Sequence, residues 1–171
     1  MAYKHDPEIL AKARRFVGEH GAAYKSTGGV DGHIVDVSYV GGPGYLPTLL
    51  LRTIGRKSGK PSLVPLLYGI FRGEWVVVGS KGGAPEHPAW YLNLLEQDEV
   101  AFQVATQSFR AKWRVPEGEE RQEFWDYMVG VFRPYKNYQT LTKRLIPLVL
   151  LKPIEPVRQL TDEAPAEGSS S

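Results

Sequence analysis

Residues 63–80 read LVPLLYGIFRGEWVVVGS. Two apolar, β-branched runs, 63–71 and 74–80, flank Arg72-Gly73, and that pattern predicts two strands joined by a tight hairpin. Upstream, TLLLRT (48–53) is a third short apolar run bounded by turn residues. Downstream, EVAFQVAT (99–106) and SFRAKWRV (108–115) form another pair. In the second of these Phe109, Ala111, Trp113 and Val115 alternate with Arg110, Lys112 and Arg114, the period of a half-buried strand. HIVDVSYV (33–40) alternates less cleanly, GGPGYLP (41–47) has loop chemistry, and LIPLVLL (145–151) reads as the last strand.

Helices fall between these runs. Asp6-Pro7-Glu8 offers a cap, a first-turn proline and an acid at the positive helix end. Ile9, Leu10, Ala13, Phe16 and Val17 then share one face, which predicts an amphipathic helix over 7–20. Its basic face, with Lys12, Arg14 and Arg15, is a solvated surface that could also touch an anionic membrane weakly. Further helices are predicted over 87–97, over 117–131 and, as a short aromatic helix, from Tyr135 to Leu141. Meandering strands with helices between them predict an α+β fold, helices packed around an antiparallel barrel. The 48–80 meander lacks the β–α alternation of a doubly wound parallel sheet. The expected organisation is an N-terminal helix and linker (1–30), a barrel domain (31–157) and a disordered acidic, serine-rich tail (158–171).

A chain of 171 residues with 42% hydrophobic and 23% charged residues can build one real core. A net charge of +2 and the absence of an aromatic-basic sheet motif argue against nucleic acid as a partner. There is no cysteine, which removes disulfides, thiolate nucleophiles and Cys-type metal sites and suits a reducing cytoplasm. MAYKHDPEILAKARR has no apolar stretch of signal-peptide type, and Leu145–Leu151 is far short of the roughly 20 residues of a spanning helix. The expected location is therefore the cytoplasm, with membrane contact at most peripheral. His5, His20, His33 and His87 have no metal-ligand spacing, so no metal is expected. No nucleophile elbow occurs either, so an enzyme built on this chain would rely on an organic cofactor.

Four stretches carry candidate chemistry. TIGRKSGKP (53–61) sets Arg56, Lys57, Ser58 and Lys60 between and beside two glycines, with Arg52 just before and no acid. Such a loop can hold phosphate or carboxylate, although Pro61 after Lys60 excludes a Walker P-loop. GSKGG (79–83) offers Ser80, Lys81, Gly82 and Gly83 at a strand end, and two such loops can converge on one polyanion. In HPAWYLN (87–93), Trp90 and Asn93 share a helical face; an indole can wall a flat ring and an amide can bond its edge, or both can be structural. In FRPYKNYQ (132–139), Tyr135 and Tyr138 share a face and can line a pocket or simply pack.

Taken in order, GRKSGKP (55–61), Pro65, SKGG (80–83), P-x-W-Y-x-N (88–93), YxxYQ (135–139) and the I-P-hydrophobic strand (146–151) resemble the deazaflavin (F420)-dependent nitroreductase and F420H2-dependent quinone reductase family. The likeness covers roughly residues 46–156. It implies a split β-barrel of the FMN-binding type and coenzyme F420 in its reduced form, F420H2, whose tail carries a phosphate and a polyglutamate chain, with FMN as the alternative cofactor. It implies hydride transfer to a small acceptor such as a quinone, an activated enone or a nitro compound, the alternative being an F420-binding protein without turnover. Arg56, Lys57, Ser58, Lys60 and Pro65, with Ser80, Lys81, Gly82, Gly83, Trp90 and Asn93, would form the cofactor site. Tyr68, Tyr135 and Tyr138 would face the acceptor. Nitroimidazole-reducing members carry an aromatic at the position of Leu67; here the aromatic is Tyr68, which strand alternation turns the other way, against that activity. Related barrels often pair, so a homodimer is expected.

Overall fold

The computed structural model describes residues 18–161. It opens in helix, residues 18–26 (α1). The strands are β1 (Ile34–Asp36), β2 (Tyr45–Ile54), β3 (Pro61–Leu67), β4 (Gly69–Phe71), β5 (Glu74–Val78), β6 (Glu99–Val104), β7 (Gln107–Arg114) and β8 (Leu148–Val157). The remaining helices are α2 (Ala89–Leu94), α3 (Gly118–Val131) and α4 (Pro134–Thr140). All pairings are antiparallel. The hydrogen-bonded path runs β1-β2-β6-β7-β8-β5-β4, with β3 on β2. The architecture is α+β on one antiparallel sheet.

The hairpin at Arg72-Gly73 has a simple cause. Phe71 pairs with Glu74, and both loop residues have positive φ, 53° and 77°. That is the twist-compatible geometry of a two-residue hairpin. The expected single strand 63–71 is instead two, broken at Tyr68. The break lets the chain change partners: β3 lies on β2 and β4 on β5.

Alternate residues feed two cores. Val76 and Val78 of β5, with Leu148 and Leu150 of β8, join Phe124, Met128 and Ile146 in one cluster. Val77, Val149 and Leu151 join Leu49, Phe102, Trp90 and Leu94 in the other. Both faces of these strands are covered, which is why WVVV and LVLL read as unbroken apolar runs.

A third layer is α1. Tyr24 is 0% exposed, and its hydroxyl donates toward the carbonyls of Thr48 (3.0 Å) and Gln103 (3.1 Å) while accepting from the Ala105 N–H (2.9 Å). Helix therefore continues to residue 26, beyond the expected end at 20, because Tyr24 ties that turn to β2 and β6. Residues 7–17, including the basic face, lie outside the described residues. The expected strand 145–151 extends to Val157. Pro153 and Pro156 disguised it; they are tolerated because β5 pairs only as far as Leu151 and leaves that edge free. Leu160 is buried and its N–H donates to Gln103 Oε1, so the chain stays packed past 157. Residues 162–171, most of the expected tail, lie outside the described residues.

His20, on α1, is buried against Thr48 Oγ1 at 3.1 Å. Burial, then the neighbouring His33, lowers its pKa below 6.5. A histidine held neutral in the fold contributes stability above its unfolded pKa and loses it as pH falls through the lowered value. Urea unfolding is expected to show stability declining below about pH 6.5. His20→Gln, which keeps a polar partner for Thr48, should flatten that decline; an unchanged pH profile would remove His20 as its source.

Candidate functional site

The basic loop closes on itself. Gly55 N–H donates to the Lys60 carbonyl and Gly59 N–H to the Gly55 carbonyl, both at 2.8 Å. Gly59 sits at φ +68°, where a side chain would be strained. Ser58 Oγ accepts from Lys60 N–H at 3.1 Å. The turn bends around a cavity of about 250 Å³ lined by Arg56, Lys57, Ser58, Lys60, Ala89 and Asn93, among others. No acid lines it. Arg56, Lys57 and Lys60 are exposed and have no carboxylate partner among the described residues. The sheet arginines contrast with them. Arg110 bridges Glu99 and Glu155, and Arg114 bridges Glu74 and Glu120. Cations left uncompensated around a concavity are what an external anion requires.

Two amides, Asn93 in α2 and Gln97 just past its end, grip this loop. Asn93, 6% exposed, accepts through Oδ1 from the Arg56 N–H (3.1 Å) and from Arg56 Nη1 (3.0 Å). Its Nδ2 donates to Thr53 Oγ1 at 3.3 Å. Gln97 accepts from Ile54 N–H and donates to the carbonyls of Ile54 and Asn93. The β2–β6 pairing ends at Arg52, so the N–H and carbonyl of Ile54 have no strand partner on that edge, and Gln97 supplies both. Trp113 Nε1 in turn donates to the Gln97 carbonyl. Gln97 was missed from sequence; its signal is the four-residue spacing from Asn93.

The second loop, 79–84, is held from behind. Arg144 donates to the carbonyls of Ala84 (Nε, 2.8 Å), Gly79 (Nη1, 3.0 Å) and Ser80 (Nη2, 2.7 Å). Nη1 also donates to His87 Nδ1 at 3.1 Å. An arginine can only donate, so His87 accepts as a neutral ring; burial first, then Arg144, lowers its pKa accordingly. Lys81 Nζ lies 3.6 Å from Glu86. Gly83 packs on α4, where a Cβ would come 2.6 Å from the Tyr138 carbonyl.

Several expected site residues take other places. Trp90 is 6% exposed and part of the second core, so it packs instead of offering an open ring face. Asn93 commits its Oδ1 to Arg56 and one Nδ2 hydrogen to Thr53, so it positions a cation at the cavity lining. Pro65 lies under Gly21 of α1, its ring 3.5 Å from where a Cβ there would stand, away from the cavity lining. The two loops do not share this cavity: 80–83 contribute nothing to its lining. Tyr135 is 4% exposed, and burial, then Tyr138, pushes its phenol well above the usual range. Tyr68 packs on Trp75 at 5.2 Å in the second core, whereas Tyr135 and Tyr138 belong with the first, so the three tyrosines are not one set. Leu67 and Tyr68 do face opposite clusters, as alternation requires. Tyr138 is half-buried, its phenol kept protonated by burial and then by Tyr39. Its backbone lies against Gly83 of the second loop, and its ring packs near Phe132 and Tyr135.

Residues 17–153 match the F420H(2)-dependent quinone reductase family. The chain belongs to that family. An F420H(2)-dependent quinone reductase of Mycobacterium tuberculosis H37Rv is 35% identical to this reductase over 135 residues, 77% of this chain and 86% of the relative. A solved F420-H2 dependent reductase (FDR-A) is 37% identical, covering 70% of this chain and 98% of that one, with a TM-score of 0.57. A solved structure described as a domain-swapped dimer is 35% identical, covering 82% and 99%, with a TM-score of 0.59. This reductase is thus an F420H2-dependent oxidoreductase that acts on a small organic acceptor, and its cofactor is the deazaflavin coenzyme F420. The residues fit that cofactor's anionic side: three cations without carboxylate partners line the cavity, and one is fixed by a buried amide. At about 250 Å³ the cavity is smaller than the roughly 300–1,000 Å³ of pockets that enclose drug-sized ligands. Its cationic lining suits phosphate and carboxylate groups. Among the described residues no helix is long and apolar enough to cross a membrane.

Proposed function

We propose that this reductase passes a hydride to a small quinone, with Arg56, Lys57 and Lys60 holding the cofactor's phosphate and carboxylates. The observation that supports this reading is the set of uncompensated cations around the cavity, with Arg56 aimed by Asn93. Bound F420H2 supplies the two electrons as a hydride. Ser58 stiffens the loop by accepting from Lys60 N–H, so backbone and charge meet the anion pre-ordered. Ser80, Lys81 and Gly82 face the same cofactor from the second loop. Tyr138, protonated and half-buried, donates a hydrogen bond to the acceptor oxygen as negative charge develops there. The sheet is read as a split barrel, supported by the likeness to FDR-A, and the working unit as a homodimer, supported by the 35% identical domain-swapped dimer.

The test is a fluorescence titration with oxidised F420 and separately with FMN, followed by F420H2 oxidation with a small para-quinone. Lys57→Ala is expected to weaken F420 binding about tenfold at low salt, the ~1.4 kcal/mol of one charge-assisted contact. The deficit should shrink as salt screens the wild-type loop. Equal affinity of the two proteins at low salt would take Lys57 out of the site. Failure of any quinone to oxidise F420H2, with a nitro compound or enone succeeding, would replace the acceptor.

A further inference from the structure

We infer that Arg144 is a positioning residue that orients the second loop's N–H groups toward the cofactor's anionic side. The inference rests on the proposed reading that this loop faces the cofactor. The peptide bonds are all trans, so each carbonyl points opposite the N–H of its own peptide unit. Arg144 binds the Gly79 and Ser80 carbonyls. The N–H groups of Ser80 and Lys81, in those same two units, therefore point away from the guanidinium. Ser80 is right-handed helical (φ −75°, ψ −40°) and Lys81 is left-handed (φ 45°). That succession turns consecutive N–H groups into one anion-holding concavity. Lys81 is a non-glycine at positive φ, an arrangement that persists only where the surroundings enforce it. Arg144 is that surrounding. It fastens both ends of the loop, residues 79–80 and residue 84, and His87 takes a further donor. Four of the five guanidinium N–H groups are thereby used, so Arg144 serves the backbone and is not itself an anion ligand. Lysine, with one ammonium, cannot span three carbonyls and a ring nitrogen in one plane.

The experiment compares Arg144→Ala, Arg144→Lys and Lys81→Gly, a change that suits φ 45° and removes the side chain with its charge while keeping the backbone N–H groups. Without cofactor, hydrogen exchange at the Gly83 and Ala84 amides, which close the turn onto Ser80 and Lys81, should quicken in Arg144→Ala and less in Arg144→Lys. F420 affinity and KM for F420H2 should worsen about tenfold in Arg144→Ala, as for a lost charge-assisted hydrogen bond, with kcat at saturation nearly kept. Arg144→Lys should fall between, and it decides the matter if the alanine variant does not fold. If Lys81→Gly weakens binding but wild-type exchange and affinity persist in the Arg144 variants, the inference is overturned and the reading of the loop stands. If neither Lys81→Gly nor the Arg144 variants change F420 affinity, the loop does not meet the cofactor and both fall.

Discussion

Replacing Asn93 with alanine is expected to raise the Kd for F420 at least tenfold while leaving the fold intact. Asn93 Oδ1 accepts both from the Arg56 backbone and from its guanidinium. One of these bonds is charge-assisted, a class worth about 1.5–3 kcal/mol, and tenfold in Kd is ~1.4 kcal/mol. The side chain is 6% exposed, so water reaches the gap poorly. Without the amide, Arg56 must be ordered by the ligand, and binding bears that entropy. Thr53 Oγ1 loses a donor as well, so a parallel loss of about 1–2 kcal/mol in urea unfolding is expected. Asn93→Asp separates the two effects. It keeps an acceptor for Arg56 and so retains the fold, but it places a carboxylate in the cavity lining and should weaken anion binding, most strongly at low salt. Unchanged F420 affinity in a folded Asn93→Ala protein would show that a pre-aimed Arg56 is not needed.

Tyr24→Phe is expected to cost about 2–4 kcal/mol of stability with little change in F420 affinity of the folded protein. The hydroxyl serves the Thr48 and Gln103 carbonyls and the Ala105 N–H, all within the interface of α1 with β2 and β6. Burial raises the phenol's pKa to about 12, so it stays a neutral donor across the working range. Removing one oxygen leaves the Ala105 N–H unpaired and deprives two carbonyls of a donor, with no room made for a replacement. Urea unfolding checks the magnitude. A loss under about 1 kcal/mol would mean that water substitutes for the hydroxyl.

The 53–61 loop was legible because its chemistry is local. Glycines, a serine and cations close a turn within nine residues, and the structure shows that turn. The strands at 74–78 and 107–114 were legible for the same reason: alternation and hairpin chemistry act between near neighbours. Trp90 and Asn93 were not legible in their roles, since an aromatic and an amide on one face look alike whether they face a ligand or a core. Tyr68 and Tyr135 were mis-grouped because side-chain chemistry says nothing of which cluster a strand or helix turns toward.

Sequence by itself determined the element types, the anion-ready loop, the absence of cysteine chemistry and the family likeness, because each is written in short-range order. Tertiary structure alone decided that Asn93 and Gln97 brace that loop and that Arg144 reaches across about sixty residues to clamp 79–84. It also decided that β8 runs on through two prolines. These depend on which groups remain unpaired once distant segments meet. A carbonyl past the end of its partner strand or a cation beside a buried amide becomes visible only when both sides are in place.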